Sequence, residues 1–522
     1  MKVLSIEDIR KADAYTMANE PITSIDLMER AATNCFAFIL KHFFDNDDFV
    51  IFAGPGNNGG DGLVIARRLA SVGYRVKVFI CEFSKSYSED CLINLKRLPK
   101  DVEIIKLKNK DDIFHLSKIN EKSIIIDALL GSGITRPPDN WLADLIKSIN
   151  SLSNFKIAID MPSGLFSDKS SKAHFDRVIA ADITLTFEVP RLAFFMPENY
   201  PYIGVWTVLP IGLDYDFIDK CNPLAIIIDG ELIKQKLKKR EPKAYKNLFG
   251  HVCIAGGSPG KYGAALLSTI GALKSGAGLV TSIVPRDLIS VYLSRVPEAL
   301  TVLIDNPFVN DFSLINDYDV ACIGPGLGND PATAQAFHNY LIDCKKPTVL
   351  DADALNILSQ NIEWCELLNE NFILTPHPGE LKRLLGTWRD DFEKIDKAKD
   401  FCNTYNCNLI IKEHNTKIIN PQGDLFINIT GNDTLSKGGS GDILAGLLAG
   451  LLAQKYSPTD ASIIAVCLHG AAGEWCGKRY SHHATSISQL TDGIENIFLN
   501  WEQNDFSMIS INTFTYEGYL II

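Results

Sequence analysis

Asp442 follows a glycine-rich turn, a combination that could carry out phosphoryl transfer. The stretch GGSGD places Asp442 directly after Gly438, Gly439, Ser440 and Gly441, and a pattern of small apolar residues typical of a buried helix comes next. Backbone N–H groups at the start of a helix can hold a phosphate and stabilise a phosphoryl group in transfer. A carboxylate beside them can take the proton of an attacking hydroxyl. The alternative is a capped, closely packed helix that binds nothing.

A second glycine-rich turn, GPGNNGGDG at residues 54–62, follows an apolar run of strand length. Its first glycines fit the G-x-G-x-x-G fingerprint of dinucleotide-binding turns, and Glu82 stands at about the distance of a ribose-binding acid. Asn58 and Asp61 add side-chain oxygens, which beside bare backbone can position an anionic ligand or bind a monovalent cation. The alternative is a strained strand-to-helix turn without a ligand.

Two more acids end apolar runs in the same half of the chain. Asp127 precedes a Gly-Ser-Gly turn at 131–133, and Asp160 precedes Ser163. A single Asp after a strand commonly caps a helix or forms a turn. Three glycine-plus-acid strand ends in one small domain instead indicate a ligand site, where a carboxyl at the mouth of the sheet can act as a general acid or base.

The second half has three further polar strand ends. GPGLG at 324–328 is another glycine turn, LTPHPGE offers His377 and Glu380 on a loop with two prolines, and LIIKE ends a strand-like run with Lys412. Taken alone, His377 could be an ordinary loop residue and Lys412 a solvated lysine at a strand end. Their interest lies in sharing one half of the chain with the GGSGD turn.

These turns need strands that bring them to one edge of a sheet. Short apolar runs alternate with amphipathic helical patterns, which predicts an α/β fold with mostly parallel sheets and ligands bound at the carboxyl ends of the strands. With 522 residues the chain is long for one core, so we predict two domains. A charged stretch places their boundary near residue 220, giving domains at 1–220 and 221–500 and a tail at 501–522.

The composition is that of a globular protein. Hydrophobic residues make up 46% and charged residues 22%, and the net charge of −12 disfavours a nucleic-acid-binding function. The twelve cysteines include no Cys-x-x-Cys pair, which predicts reduced core thiols. The N-terminus lacks an apolar signal core, and the run ILAGLLAGLLA is too short to span a bilayer. We expect a cytoplasmic homo-oligomer that acts on small molecules, with no nucleic-acid or membrane partner.

The first half resembles the NAD(P)HX epimerase domain. GPGNNGGDG, DALLGSG and DMPSGL in this order, with IRKADAYTM and SIDLMERAA near the N-terminus, carry the resemblance over about residues 1–215. It implies a Rossmann-like three-layer αβα domain that interconverts the two epimers of hydrated NADH and NADPH. Met161 stands where the family usually has isoleucine.

This resemblance implies roles for several residues of the first half. The carboxyl of Asp160 is implied to be catalytic and to lie against the substrate, and a potassium ion is implied to lie among Asn58, Asp127 and Ser163. The residues implied to bind the hydrate are Asn57, Asn58, Gly59, Gly60, Asp61, Gly131, Ser132, Gly133, Ile134, Thr135, Arg136, Pro137 and Asp160.

The second half resembles the ADP- or ATP-dependent NAD(P)HX dehydratase, a ribokinase-like α/β domain. GPGLG, DADAL, LTPHPGE and GGSGDILAG follow in the family's order, and the resemblance covers about residues 225–500. It implies ADP or ATP as the phosphoryl donor, with Mg²⁺. Hydrate contacts are implied for Gly326, His377 and Asp442, and nucleotide contacts for Lys412, Gly438, Gly439, Ser440 and Gly441.

Two positions depart from the dehydratase pattern. Tyr245 stands where the family usually has histidine, and Glu413, where it usually has glycine, adds a negative charge near the predicted phosphate site. Glu413 adjoins Lys412, which is implied to contact the nucleotide, and the departure at Tyr245 bears on the nucleotide contacts of the predicted site.

Together the resemblances imply a bifunctional enzyme that repairs hydrated NADH and NADPH. One domain would epimerise the hydrate. The other would phosphorylate its hydroxyl, with Asp442 as base, before the ring nitrogen expels phosphate. Three alternatives stay open: a ribokinase-superfamily kinase for a vitamin or sugar fused to a nucleotide-binding domain, an NAD-dependent oxidoreductase, or a first domain that only binds a ligand.

Overall fold

The computed structural model describes residues 1–46, 48–84 and 86–509. It divides the described chain into two compact units, Met1–Ala225 with Asp390–Phe392, and Ile226–Arg389 with 393–509. The domain limits 1–220 and 221–500 stay predictions, and most of the predicted tail at 501–522 lies outside the described residues.

The first unit is a parallel α/β structure. Its strands are β1 (Lys2–Val3), β2 (Asp48–Ala53), β3 (Arg75–Cys81), β4 (Glu103–Leu107), β5 (Ile124–Ala128), β6 (Lys156–Ile159), β7 (Ile183–Phe187) and β8 (Val205–Leu209). Its helices are α1 (Ile6–Asn19), α2 (Ser24–His42), α3 (Asn57–Ser71), α4 (Glu89–Lys96), α5 (Asn140–Asn150), α6 (Tyr200–Ile203) and α7 (Tyr215–Lys220). Seven strands form a sheet in the order β4-β3-β2-β5-β6-β7-β8, with all these neighbours parallel.

The centre of this sheet explains where the polar turns lie. Strands β5 and β6 are buried at every residue, because helices cover both faces, and so their sequences are mostly apolar. β2 pairs with β5, and β5 pairs with β6, all in parallel. The turns that follow these three strands therefore meet at one edge of the sheet.

The second unit is a larger α/β structure. Its strands are β9 (Ala225–Ile228), β10 (His251–Ala255), β11 (Leu279–Pro285), β12 (Leu300–Ile304), β13 (Val320–Ile323), β14 (Thr348–Leu350), β15 (Phe372–Leu374), β16 (Asn408–Ile411), β17 (Lys417–Ile419) and β18 (Leu425–Asn428). Its helices are α8 (Gly230–Lys236), α9 (Tyr262–Lys274), α10 (Ile289–Arg295), α11 (Pro331–Asp343), α12 (Asp353–Gln360), α13 (Pro378–Leu385), α14 (Asp391–Tyr405), α15 (Ser440–Ala453), α16 (Pro458–Arg479) and α17 (Leu490–Glu502).

These ten strands lie in the order β9-β18-β17-β16-β15-β14-β13-β10-β11-β12. Their neighbours are parallel except at β17, which runs antiparallel to both β16 and β18. The predicted α/β class with mostly parallel sheets is confirmed in both units. The antiparallel strand was not foreseen, because β17 has only three residues and its sequence lacks a helix before it.

The helix that follows the GGSGD turn is buried in the core of the second unit. Almost every residue of α15 is buried, and it packs closely against α9. A side chain at Gly446 would place its Cβ only 2.0 Å from the backbone oxygen of Ser268, so a glycine is required there. The run ILAGLLAGLLA is thus a core helix.

Among the described residues, no helix has both the length and the apolar composition needed to cross a bilayer. All twelve cysteines are free thiols, and ten are buried. This agrees with the predicted reduced core cysteines.

Candidate active sites

The GPGNNGGDG turn forms one wall of a cavity of about 680 Å³ in the first unit. Asn57, Asn58 and Asp61, in the first turns of α3, line this cavity. Gly59 and Gly60 do not. A Cβ at Gly59 would stand 1.8 Å from the backbone oxygen of Gly54, and one at Gly60 would meet Met28. These two glycines therefore let the turn close behind the cavity.

A second wall comes from the turns that follow β5 and β6. Gly131, Ser132, Gly133, Ile134 and Asp160 line the cavity. Thr135, Arg136 and Pro137, implied by the resemblance to bind the hydrate, do not line it.

Asp160 is fixed by contacts to both of its carboxylate oxygens. Arg191 Nη2 donates to Oδ1 at 2.8 Å, and the backbone N–H of Ser132 donates to Oδ2 at 2.7 Å. The backbone of Asp160 has φ 65°, a conformation that non-glycine residues rarely adopt and that clusters at functional sites. The strained residue is held against the 131–134 turn, as expected for a preorganised site.

The three residues predicted to hold potassium lie at the same edge of the sheet. Ser163 donates to Asp127 twice, from Oγ at 2.6 Å and from the backbone at 2.8 Å, and Asp127 is buried. Burial raises the pKa of Asp127 to about 6, against the opposing hydrogen bonds from Ser163. The side-chain nitrogen and oxygen of Asn58 are buried and have no hydrogen-bond partner within the described chain. An unpartnered amide oxygen and a buried carboxylate are suitable donors for a monovalent cation.

Asp13 and Arg191 belong to this cavity, but sequence reasoning gave them no role. Asp13 is on α1, and Arg191 follows β7. Burial is the main reason why the pKa of Asp13 is raised to about 6; Arg191 opposes the rise, and Asp160 and Glu188 add to it. The stretch IRKADAYTM, which forms part of α1, carries part of the resemblance to the epimerase domain. No local pattern, however, predicts that α1 lines the cavity.

Glu82 does not line the cavity, whereas its neighbours Phe83 and Tyr87 do. Its carboxylate accepts a hydrogen bond from Tyr87 at 3.1 Å and pairs with Lys106 at 3.0 Å. The carboxylate of Glu82, which the G-x-G-x-x-G fingerprint predicted near a ribose, is therefore bound by Tyr87 and Lys106 outside the cavity lining.

In the second unit, the GGSGD turn lines a cleft of about 490 Å³. Gly438, Gly439 and Asp442 line it, and Gly439 has φ 98°, in the left-handed region that favours glycine. Burial is the main cause that raises the pKa of Asp442 to about 6; Asp351 adds to the rise, and Lys412 opposes it. The cleft thus contains a carboxyl at the start of a helix, as the sequence predicts.

His469, a residue that sequence reasoning missed, makes a hydrogen bond to the backbone of Ser440. The buried ring of His469, on α16, donates from Nε2 to the Ser440 carbonyl oxygen at 3.0 Å. Burial lowers the pKa of His469 to about 4, so the ring is neutral at physiological pH. The sequence around His469 contains no pattern that predicts this hydrogen bond.

Lys412 lies beside the same turn. Its Nζ pairs with Asp351 Oδ1 at 2.7 Å, and a Cβ at Gly441 would be 3.2 Å from that Nζ. Burial lowers the pKa of Lys412, but the nearby carboxylates of Asp351 and Glu380 outweigh it and raise the pKa overall. The lysine is therefore a fixed cation between Asp351 and the GGSGD turn.

Gly326 and His377 are placed differently with respect to the cleft. Gly326 lines it, and a Cβ there would be 2.4 Å from the backbone oxygen of Lys261. His377 does not line it. Its Nδ1 accepts from the Gly379 N–H at 3.0 Å and caps α13, while Glu380 of the same capping box does line the cleft.

Lys261 and Asp353 also line the cleft, although sequence reasoning did not single them out. Lys261 Nζ lies 3.0 Å from Asp353 Oδ2, which also accepts from the Gly328 N–H at 2.8 Å. The motif DADAL contained Asp353, but its spacing alone did not show which of its two acids would face the ligand.

The two departures from the dehydratase pattern lie outside the cleft lining. The Glu413 side chain is 8% exposed; it pairs with Lys394 Nζ at 2.8 Å and with the fully buried Lys417. Its negative charge is therefore compensated beside Lys412. Tyr245 is 62% exposed at the start of a short 3₁₀ helix, and nothing in the structure explains its substitution.

Replacing Glu413 with glutamine is expected to destabilise the second unit by about 3 kcal/mol, because it removes the charge shared by two buried ammonium groups. Denaturant unfolding of the full chain measures this. The matched variant Glu363→Gln changes an exposed carboxyl and should stay within about 0.5 kcal/mol of the parent. Equal stability of the two variants would contradict the buried charge cluster.

Comparison with known proteins agrees with this two-site arrangement. Residues 252–496 match the model of the NAD(P)H-hydrate dehydratase family, and residues 24–193 match that of the YjeF-related protein N-terminus. The chain is 32% identical to the bifunctional NAD(P)H-hydrate repair enzyme of Moorella thermoacetica, over 96% of this chain and 98% of that protein. The corresponding Escherichia coli enzyme is 29% identical, over 94% of this chain and 93% of that protein.

A solved structure of the ADP/ATP-dependent NAD(P)H-hydrate dehydratase from Bacillus subtilis is 28% identical, with a TM-score of 0.46, and covers 53% of this chain and 99% of that one. Two α/β units, each with a cavity lined by a carboxyl and a glycine-rich turn, define a two-site enzyme. The chain belongs to the family of bifunctional NAD(P)H-hydrate repair enzymes. The predicted arrangement of two α/β domains with mostly parallel sheets agrees with the two family matches.

Proposed function

We propose that this chain carries out both reactions of its family. The first unit interconverts the two epimers of hydrated NADH and NADPH, and the second dehydrates the S epimer at the expense of ADP or ATP. The observation that supports this most directly is the presence of two separate cavities, one lined by Asp160 after β6 and the other by Asp442 at the start of α15.

In the second unit, Asp442 takes the proton of the hydrate hydroxyl as that oxygen attacks the terminal phosphorus of the nucleotide. The N–H groups of the Gly438–Gly441 turn and the ammonium of Lys412 stabilise the charge on the transferring group. The carbon–oxygen bond then breaks as the ring nitrogen supplies the electron pair, and phosphate leaves an iminium ion behind. The adjacent ring carbon then loses a proton to the released phosphate or to solvent, which restores the carbon–carbon double bond of the dihydronicotinamide.

The hydrate would lie against Gly326 and Asp442 in this cleft. The side chain of His377 is about half exposed and caps α13, and it does not line the cleft. Its contact with the hydrate therefore stays a prediction. Carboxylates of the type that Mg²⁺ prefers, Asp353 and Glu380, line the cleft and would hold the ion that accompanies the nucleotide and neutralises phosphate charge.

In the first unit, Asp160 takes part in proton transfer at the hydrated ring carbon. Asn57, Asn58, Asp61 and the 131–134 turn form the surrounding wall and would bind the hydrate. Gly59 and Gly60 would act by shaping the turn, and contacts from Thr135, Arg136 and Pro137 stay predictions. Supplying the S epimer is the reason to join this activity to the dehydratase.

Potassium would be held by Asn58, Asp127 and Ser163, where it would order the turns that carry Asn58 and Ser163. The unpartnered, buried amide of Asn58 supports this assignment. We also propose that the protein is cytoplasmic and that it forms a homo-oligomer. A measurement of its molecular mass in solution tests the oligomeric state.

Removal of potassium is expected to lower the rate of epimerisation at least about tenfold and to leave the dehydratase rate on the pure S epimer nearly unchanged. The measurement compares potassium with tetramethylammonium, which is too large for a buried site. Asn58→Ala should remove the potassium response, whereas Asn46→Ala, which changes a residue before β2, should retain it. An equal response of both activities would contradict a site confined to the first unit.

The fate of phosphate tests the dehydratase assignment against a stable kinase. Pure S hydrate and ATP are incubated with the full chain, and phosphorus NMR follows the products. Free phosphate formed in equal amount with the reduced dinucleotide supports the proposed reaction. Phosphate that remains on a stable product supports the ribokinase-superfamily alternative instead.

A further inference from the structure

Asp13 is a carboxyl of the epimerase cavity to which no role has been given. It lies on α1, which also contributes Ile9 and Arg10 to the cavity lining. Its carboxyl makes no hydrogen bond or ion pair with another residue in the described part of the chain. The fold therefore brings an uncommitted carboxyl from the N-terminal helix into the cavity that holds Asp160.

Asp160 differs from Asp13 in its contacts. Both of its oxygens accept hydrogen bonds, from Arg191 and from the Ser132 N–H, and the Arg191 side chain is only 3% exposed. Both donors fix the orientation of the carboxylate, which acts as a hydrogen-bond acceptor here. Asp160 is thus placed to accept a proton from the substrate and needs a partner that can give one.

The chemistry of epimerisation requires such a partner. The hydrated carbon carries a hydroxyl and the ring nitrogen. Inversion can proceed if a base takes the hydroxyl proton while the carbon–nitrogen bond breaks, which gives an aldehyde and a conjugated amine. The nitrogen keeps the electron pair and must gain a proton. Rotation then presents the other carbonyl face, nitrogen attacks it, and both protons return to their donors.

We propose that Asp13 is the general acid of the epimerase and that it protonates the ring nitrogen while Asp160 accepts the hydroxyl proton. This assignment rests on the proposed epimerase activity of the first unit. On ring closure, Asp13 recovers its proton from nitrogen and Asp160 returns its proton to oxygen. Atoms and charges therefore balance with no additional reactant.

The charged surroundings of Asp13 fit this role. Arg10 on its own helix, Arg191 after β7, Asp160 after β6 and Glu188 are the charged groups around it, with Asp61 on α3 in the same lining. Burial raises the pKa of Asp13 to about 6, so that a usable fraction is protonated near neutral pH. Burial also raises the pKa of Asp61, and the carboxylates of Asp160 and Asp13 add to the rise.

The test is the pH profile of epimerisation in the full chain without nucleotide, starting from one purified epimer and separating the two by chromatography. In the parent protein, kcat/KM should fall as pH rises above about 6, because Asp13 loses its proton. Asp13→Asn should lower kcat/KM at least about 100-fold and abolish this alkaline limb, and Asp13→Glu should restore part of both. Glu7→Gln, on the exposed face of α1, should behave as the parent.

Two further readouts separate catalysis from folding. Asp13→Asn should keep the parent thermal unfolding temperature and the dehydratase rate on the S epimer. If Asp13→Asn lowers kcat/KM less than about threefold, or lowers it strongly but keeps the fall in kcat/KM at high pH, then Asp13 is not the general acid. Either result leaves the proposed epimerase function standing. If the parent chain does not accelerate epimerisation at all, the proposed epimerase function fails, and the role of Asp13 fails with it.

Discussion

Asp442→Asn is expected to lower the nucleotide-dependent dehydration of the hydrate at least about 100-fold, because asparagine cannot accept the hydroxyl proton. The wild-type rate should itself fall as pH decreases through about 6, since burial raises the pKa of Asp442 to about 6 and only the ionised form is a base. Steady-state rates on pure S hydrate between pH 5 and 8 measure both effects.

The control for this variant is Glu495→Gln, which changes an exposed carboxyl on α17 of the same unit. It should retain the parent rate and pH profile. Asp442→Asn should also retain epimerisation, because that reaction uses the other cavity. Unchanged hydrate consumption by Asp442→Asn would remove Asp442 from the reaction.

Asp160→Asn should turn one-phase repair of an equal mixture of epimers into two phases. The intact second unit consumes the S half at the parent rate, and the R half then disappears only as fast as it epimerises spontaneously. Direct epimerisation should fall at least about 100-fold. The variant keeps the side-chain shape but loses the charge that pairs with Arg191.

Asp176→Asn serves as its control, because this carboxyl is 56% exposed and pairs with Lys147 away from the cavity lining. Repair by this control should stay in one phase. If Asp160→Asn also repairs the whole mixture in one fast phase, then Asp160 does not carry the epimerase reaction.

The strand ends and their acids could be predicted because they depend on local patterns. An apolar run followed by an acid and a glycine-containing turn identifies the end of a buried strand, and this predicted the positions of Asp127 and Asp160 at the ends of β5 and β6. The glycine-rich turn before a run of small apolar residues likewise predicted Asp442 at the start of a helix. Parallel neighbours then bring such ends together without further information.

The partners of these acids could not be predicted in the same way. Asp13, Arg191 and His469 reach the sites from helices or loops distant in sequence, and no local spacing announces them. Glu413 shows the opposite case. Its sequence position suggested charge near the phosphates, but the fold compensates that charge with Lys394 and Lys417.

The most direct test of the central claim is whether this chain restores reduced nicotinamide from its hydrate. Hydrated NADH is incubated with the full chain and Mg²⁺, with ADP, with ATP or with neither, while the absorbance of the reduced ring is followed. The account predicts that the band returns fully with at least one of the nucleotides and only with nucleotide present. Consumption of nucleotide without return of the band would contradict it.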